Sequence, residues 1–132
     1  MECAWHDYLK TGDALNEDER AYFRRIASGE ADDAEFDDSL MRLVRFLRAH
    51  HGRPVVLIID EYDAPVMAGY TYGYCQGVVS FLKAWLTGVL KDGGAALAFA
   101  CLTGVQRISK ESIFSDINNI KVTAPLSTDS DE

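Results

Sequence analysis

Residues 53–65, RPVVLIIDEYDAP, run five apolar side chains, Val55 to Ile59, directly into three carboxylates, Asp60, Glu61 and Asp63. An aspartate closing a buried apolar strand is placed to hold the water shell of Mg²⁺ beside a phosphate, and a glutamate next to it can polarise an attacking water. The same acids would equally suit a strand end that simply meets solvent. Thr103 ends a second apolar run, where a hydroxyl could contact a terminal phosphate or position water, or serve as an ordinary strand-end group. Arg107 and Lys110, a few residues on, could neutralise charge that accumulates in phosphoryl transfer. Read singly, each is better explained as a surface cation placed to pair with Glu111 or Asp116.

These groups matter only if the chain brings them together, and the hydrophobic pattern predicts that it does. Val55–Ile59, short, rich in β-branched residues and preceded by Gly52 and Pro54, reads as a strand buried on both faces of a parallel sheet. Ala64-Pro65 and the segment AGYTYGYCQG read as an irregular connection, and Val78 to Leu90 as a strongly apolar helix ended by Lys91-Asp92-Gly93-Gly94. A second buried run, Ala95–Leu102, stops at Thr103-Gly104. Strand, helix, strand is a crossover unit, which makes the two strands parallel neighbours and puts both C-terminal ends on one edge. That edge is where open parallel sheets bind ligands.

Upstream, Asn16-Glu17-Asp18-Glu19 predicts a capped helix start, with Tyr22, Phe23 and Ile26 forming one stripe and Ser28-Gly29 the stop. The acidic EADDAEFDD reads as a surface loop leading to a second cap near Asp38 or Ser39. Leu40, Leu43, Val44 and Leu47 then recur at helical spacing up to His50-His51-Gly52. Adjacent histidines do not share a helix face, so they read as partners of the helix dipole at its C-terminal end rather than as metal ligands.

Composition narrows the function classes. The chain has 132 residues and a formal net charge of -8, the balance of one globular domain whose surface does not attract nucleic-acid phosphates or anionic lipid. Arg20, Arg24 and Arg25, and Arg42, Arg45 and Arg48, lie at helical spacing among acids and read as solvated faces. Cys3, Cys75 and Cys101 form no C-x-x-C pair, so neither a zinc knuckle nor a disulfide framework is indicated, and a reducing cytoplasm fits best. The start, MECAWHDYLK, lacks the pattern of a secretory signal, and no apolar run approaches the roughly 18 residues of a membrane span.

The segments LIIDEYDAPV and LTGVQRISKESIFSDINNIKV closely resemble the AAA-ATPase-like family of bacterial P-loop ATPases, with its IDEYD-x-P and TG-x-x-RISKESIF-x-x-x-NN motifs. The likeness extends to NEDERAYFRRIASGEAD, to DDSLMRLVRFLRAHHGRPV and to the tyrosine-rich segment, and so spans nearly the whole chain. The resemblance implies an α/β fold, a partial P-loop NTPase-like parallel sheet flanked by helices, over residues 1–126, and the polar, acidic STDSDE at 127–132 reads by its composition as a disordered tail. It implies Mg²⁺ and ATP as cofactors. It matches Asp60 to the Walker B aspartate that coordinates Mg²⁺ through water, Glu61 to the catalytic base and Thr103 to a sensor-type residue. Arg107 and Lys110 fall in the RISKES segment and are phosphate-contact candidates, Arg107 being preferred for a phosphate or interdomain contact. Asp63 lies in the first motif, where its side chain could instead cap the following turn.

A P-loop requires G-x-x-x-x-G-K-[ST], and no glycine in this sequence is followed by lysine. In family members that loop lies upstream of the segments matched here, so the chain reads as an internal piece or a shortened relative. The expectation for this chain alone is weak or no ATP binding, because each missing charge-assisted hydrogen bond costs about 1.5–3 kcal/mol. Two readings follow: the Walker B and sensor half of a nucleotide-hydrolysing unit, or a non-catalytic interaction module whose exposed sheet edge pairs with the rest of the ATPase domain, a partner protein or a second copy. A metal-dependent nuclease built on Asp60, Glu61 and Asp63 is the weakest alternative, since neighbouring acids on a strand alternate faces.

Overall fold

A computed structural model of the chain describes residues 15–104 together with 113, 114, 117 and 121. The order is α1 (Glu17–Ser28), α2 (Asp33–Asp37), α3 (Ser39–His51), β1 (Val55–Ile59), α4 (Ala64–Tyr72), α5 (Cys75–Asp92), a 3₁₀ turn (Gly94–Ala96) and β2 (Leu97–Leu102). The class is α/β: β1 and β2 pair in parallel, with Leu57 opposite Ala100 and Ile59 opposite Leu102, and α4 and α5 form the crossover.

Each helix has a local cause. The Asn16 side chain accepts from Glu19 N–H at 2.9 Å while Glu19 accepts from Asn16 N–H at 2.9 Å, a reciprocal cap that satisfies two orphan donors at the start of α1. Tyr22, 5 % exposed, anchors α1: its hydroxyl donates to the Glu35 carbonyl at 2.8 Å, and the Arg42 guanidinium lies 4.3 Å from its ring centre. Burial is the main cause that pushes the Tyr22 hydroxyl pKa up. Arg25 pairs with Glu35 and Arg42 with Asp38, so two of the arginines on the solvated faces have acid partners. The Arg25 hydrogen bond holds the Glu35 carboxyl below its ordinary value. Trp85 of α5 donates to Ser39 of α3 at 2.9 Å, which fixes the crossing of the two longest core helices.

The core lies between α3, α4, α5 and one face of the sheet. Leu40, Val44, Val66, Leu82, Leu86, Val89 and Ile113 are its buried members, and Val55, Leu57 and Ile59 of β1 pack against them. Fully burying such a side chain contributes about 1.5–3 kcal/mol.

The structure corrects three expectations. The acidic stretch after α1 contains α2, a five-residue helix capped by the Asp32 carboxylate, which accepts from Glu35 N–H at 2.8 Å. The tyrosine-rich connection is largely α4, started by Pro65 in the first turn and stopped at Gly73. Finally, β1 is buried on one face only: Val56 and Ile58 are 57 % and 70 % exposed, and Phe99 across from Val56 is 61 % exposed. The helices of the described residues cover a single side of the pair.

The helix stops expected at Gly29 and Gly52 occur where the sequence places them. His50 and His51 close α3, their rings meeting edge-on at 4.6 Å. The Leu40 stripe turns slightly from the predicted phase: Leu40, Met41 and Val44 are buried, while Leu43 lies at the margin. The domain end at 126, the tail at 127–132, Cys3, Arg107 and Lys110 lie outside the described residues.

Candidate functional site

Both strands deliver their C-terminal ends to one edge, and there the polar residues converge. Beyond Ile59 the chain leaves the strand and turns into α4 within four residues, Asp60 to Asp63. Thr103, one residue past the end of β2, extends the pairing: its N–H donates to the Ile59 carbonyl at 2.9 Å, and its own carbonyl accepts from Tyr62 N–H at 3.0 Å. Its hydroxyl donates to Asp60 Oδ1 and accepts from the backbone N–H of Glu61 at 3.4 Å. Asp60, Glu61 and Thr103 are therefore brought together, and all three are solvent-exposed.

Glu61 has φ of 53°, the sole non-glycine residue with positive φ among the described residues. A side chain in the left-handed region costs of order 1–3 kcal/mol and persists where the surroundings over-determine it; such residues cluster at functional sites. Asp63, in contrast, is 4 % exposed. It occupies the N-cap position of α4, but it caps through its carbonyl, which accepts from Val66 and Met67 at 3.0 Å, and its carboxylate makes no cap hydrogen bond. The expectation that its side chain closes the turn is thus not met.

Gly104 explains how these pieces fit so closely. A Cβ built there would lie 2.8 Å from Asp63 Oδ1 and 2.8 Å from the Tyr62 ring, closer than real side chains approach. Tyr62 fills the remaining space against Phe114, ring centres 5.6 Å apart. Burial is the larger cause and the Asp63 charge the smaller one that push the Tyr62 hydroxyl pKa up.

Carboxylate oxygens are the donors that hard divalent cations take, and Mg²⁺ held through its own waters needs few protein ligands. The exposed Asp60 carboxylate, with Glu61 next to it, fits that limited role. The three acids do not form a cage: among the described residues no group of three or more His, Cys, Asp or Glu is gathered to hold a metal. Two surface hollows, one of about 390 Å³ between α1 and α3 and one of about 470 Å³ at the α4–α5 turn, are lined by neither Asp60, Glu61 nor Thr103. Among the described residues the acidic edge is open to solvent. Arg107 and Lys110, the cations expected to face it, lie outside the described residues.

Sequence reasoning placed the acids and the hydroxyl at two strand ends on one edge, and the structure brings them together there. That reasoning missed the left-handed Glu61, since no Gly or Asn marks that position, and the close packing on Gly104, for which the Thr-Gly pair after an apolar run was the available signal. No helix among the described residues is long and apolar enough to cross a membrane.

The profile of a family described as predicted AAA-ATPase matches residues 6–114. A protein of Azotobacter chroococcum mcd 1, described as an uncharacterized protein in the vnfD 5′ region, is 37% identical over 78 residues. That alignment covers 59% of this chain and 15% of the relative, so the chain spans a small part of its relative's length. No solved structure matches.

Proposed function

The chain belongs to the predicted AAA-ATPase family, and from that premise we propose that it supplies the metal-and-water wall of an ATP-hydrolysing site. The observation that carries this reading is the convergence of Asp60, Glu61 and Thr103 on the C-terminal edge of a parallel strand pair. In this proposal Asp60 takes the Walker B role and orients the water shell of Mg²⁺, which when bound neutralises phosphate charge. Glu61 accepts a proton from the attacking water, and its carboxylate is carried beyond the strand end by a fixed backbone. Arg107 and Lys110 would face the phosphates.

The opposite wall, a glycine-rich loop with its lysine, is not encoded in this sequence. We therefore assign the nucleotide's phosphate cradle to another segment of a longer ATPase, with the bare sheet face of Val56, Ile58 and Phe99 docked against the remainder of that domain. The second reading, a non-catalytic interaction module in the cytoplasm, is favoured by the same bare face. Calorimetric titration of this chain with Mg-ATP is expected to show no micromolar binding. Micromolar binding would overturn the assignment of the phosphate cradle to another segment. Phosphate release by the chain joined to a P-loop-bearing segment, abolished by E61Q, decides between the two readings. A joined protein that binds ATP yet never hydrolyses it would favour the interaction module.

A further inference from the structure

Thr103 is usually the kind of residue one assigns to sensing phosphate, but its bonding here is spent on its own chain. Four consecutive residues, the last of β1 and the first three of the turn into α4, are each held by one group of Thr103: Ile59 by its N–H, Asp60 by its hydroxyl proton, Glu61 by its hydroxyl oxygen and Tyr62 by its carbonyl. A hydroxyl has one proton to donate and two lone pairs. With the proton given to Asp60 and a lone pair to Glu61, no donor remains for a phosphate oxygen.

Two of these bonds bear on the residues that carry the proposed chemistry. Glu61 sits in a backbone region that disfavours its side chain, at φ 53°, and its N–H has left the strand ladder. The Thr103 hydroxyl oxygen gives that N–H a partner in this conformation. The neighbouring Gly104 lets the Thr103 backbone lie close enough, because any side chain there would strike Asp63 and Tyr62. The Thr-Gly pair thus works as one unit, with the hydroxyl gripping the two acids and the glycine permitting the approach.

Resting on the reading of Asp60 and Glu61 as metal-side acid and base, we propose that Thr103 is a positioning residue that templates the β1–α4 turn, holding Glu61 left-handed and Asp60 in place, rather than a donor to phosphate. The role needs a group that both donates and accepts. Serine keeps both functions, whereas valine keeps the shape and loses both.

The test uses the nucleotide-free chain, so its outcome does not depend on ATP chemistry. Backbone NMR couplings and amide exchange are measured for the unmodified chain and for T103S and T103V. Glu61 is expected to keep positive φ in T103S and to lose it in T103V, with Glu61 amide exchange faster by on the order of tenfold, the effect of one net hydrogen bond. Unfolding is then compared in the E61G background, where glycine accepts the left-handed conformation unaided. T103V should lower the folding constant about tenfold in the E61G background, where the hydrogen bonds are lost outright, and no more than about threefold with Glu61 present, where release of the left-handed strain offsets part of that loss, a coupling that a cycle isolates. If T103V leaves Glu61 φ and exchange unchanged, or destabilises equally in both backgrounds, the proposal is overturned. If T103V is too unstable for NMR, the same coupling is read from the denaturation midpoints of the four chains. Failure of the joined ATPase to hydrolyse ATP would overturn the function proposed above and leave this result standing.

Discussion

The two faces of the β1–β2 pair are built from the same kinds of residue and meet opposite surroundings. Val55, Leu57 and Ile59 point into a core closed by α3 and α5, whereas Val56, Ile58 and Phe99 face outward, more than half exposed. A strand that is apolar on both sides reads as fully buried, because periodicity reports what each side chain prefers and not whether a neighbour exists. Parallel sheets are ordinarily covered on both sides. The difference teaches that the fold of the described residues is held from one side, while its outer side keeps large apolar side chains in contact with solvent.

The covered side should respond most strongly to perturbation. Leu86 is 1 % exposed and lies in the layer of α5 over the sheet. Leu86→Ala is expected to cost about 2–5 kcal/mol, since the cavity adds to the lost transfer energy. Denaturant titration checks it: a fall in midpoint with an unchanged slope is the expected form. A cost below 1 kcal/mol would mean that the core is not centred where α5 meets the strands. Leu57→Ala, at a half-buried site on the same covered side, should cost roughly half as much.

How far these regions were legible depended on whether local signals pointed the same way as packing. The cap at Asn16, the stop at Gly52 and the apolar runs of β1, α5 and β2 were readable because capping chemistry, periodicity and burial agree there. Helix α2 was not, since five residues are too few to show a period. Helix α4 was hidden because its apolar residues are spread around its circumference and its one glycine and two tyrosines mimic a loop; packing of Val66 and Gly69 decides the outcome. At the acidic edge the side chains were legible and the backbone was not. Nothing in the letters Asp-Glu-Tyr-Asp announces a left-handed glutamate, which is imposed from the other strand by Thr103.

Away from both faces, the α1 cap offers an intermediate case. Asn16→Ala removes the acceptor for Glu19 N–H and should cost about 1 kcal/mol. The change in thermal midpoint should be smaller than that of Leu86→Ala, because only one exposed turn loses its partner. An equal loss would show that α1 carries more of the global stability than its exposed cap suggests.

The smallest effect is the most informative about the outer face. Ile58 is 70 % exposed and adjacent in sequence to Leu57, so the pair samples the two faces at one level of the same strand. Ile58→Thr keeps the β-branched shape that strands favour while removing apolar surface, and in this chain alone it should change stability by no more than about 0.5 kcal/mol. Its effect belongs to association: where the chain is joined to the remainder of the domain, the same substitution leaves a hydroxyl to be buried, a cost of about 1–3 kcal/mol without a partner. Equilibrium unfolding of the chain, alone and joined, separates these outcomes. A large loss in the isolated chain would mean that the outer face is already covered, by a second copy for instance, and sedimentation of the unmodified chain would then show a dimer. A negligible loss in both would mean that the bare face is ordinary surface and that the one-sided sheet is complete as it stands.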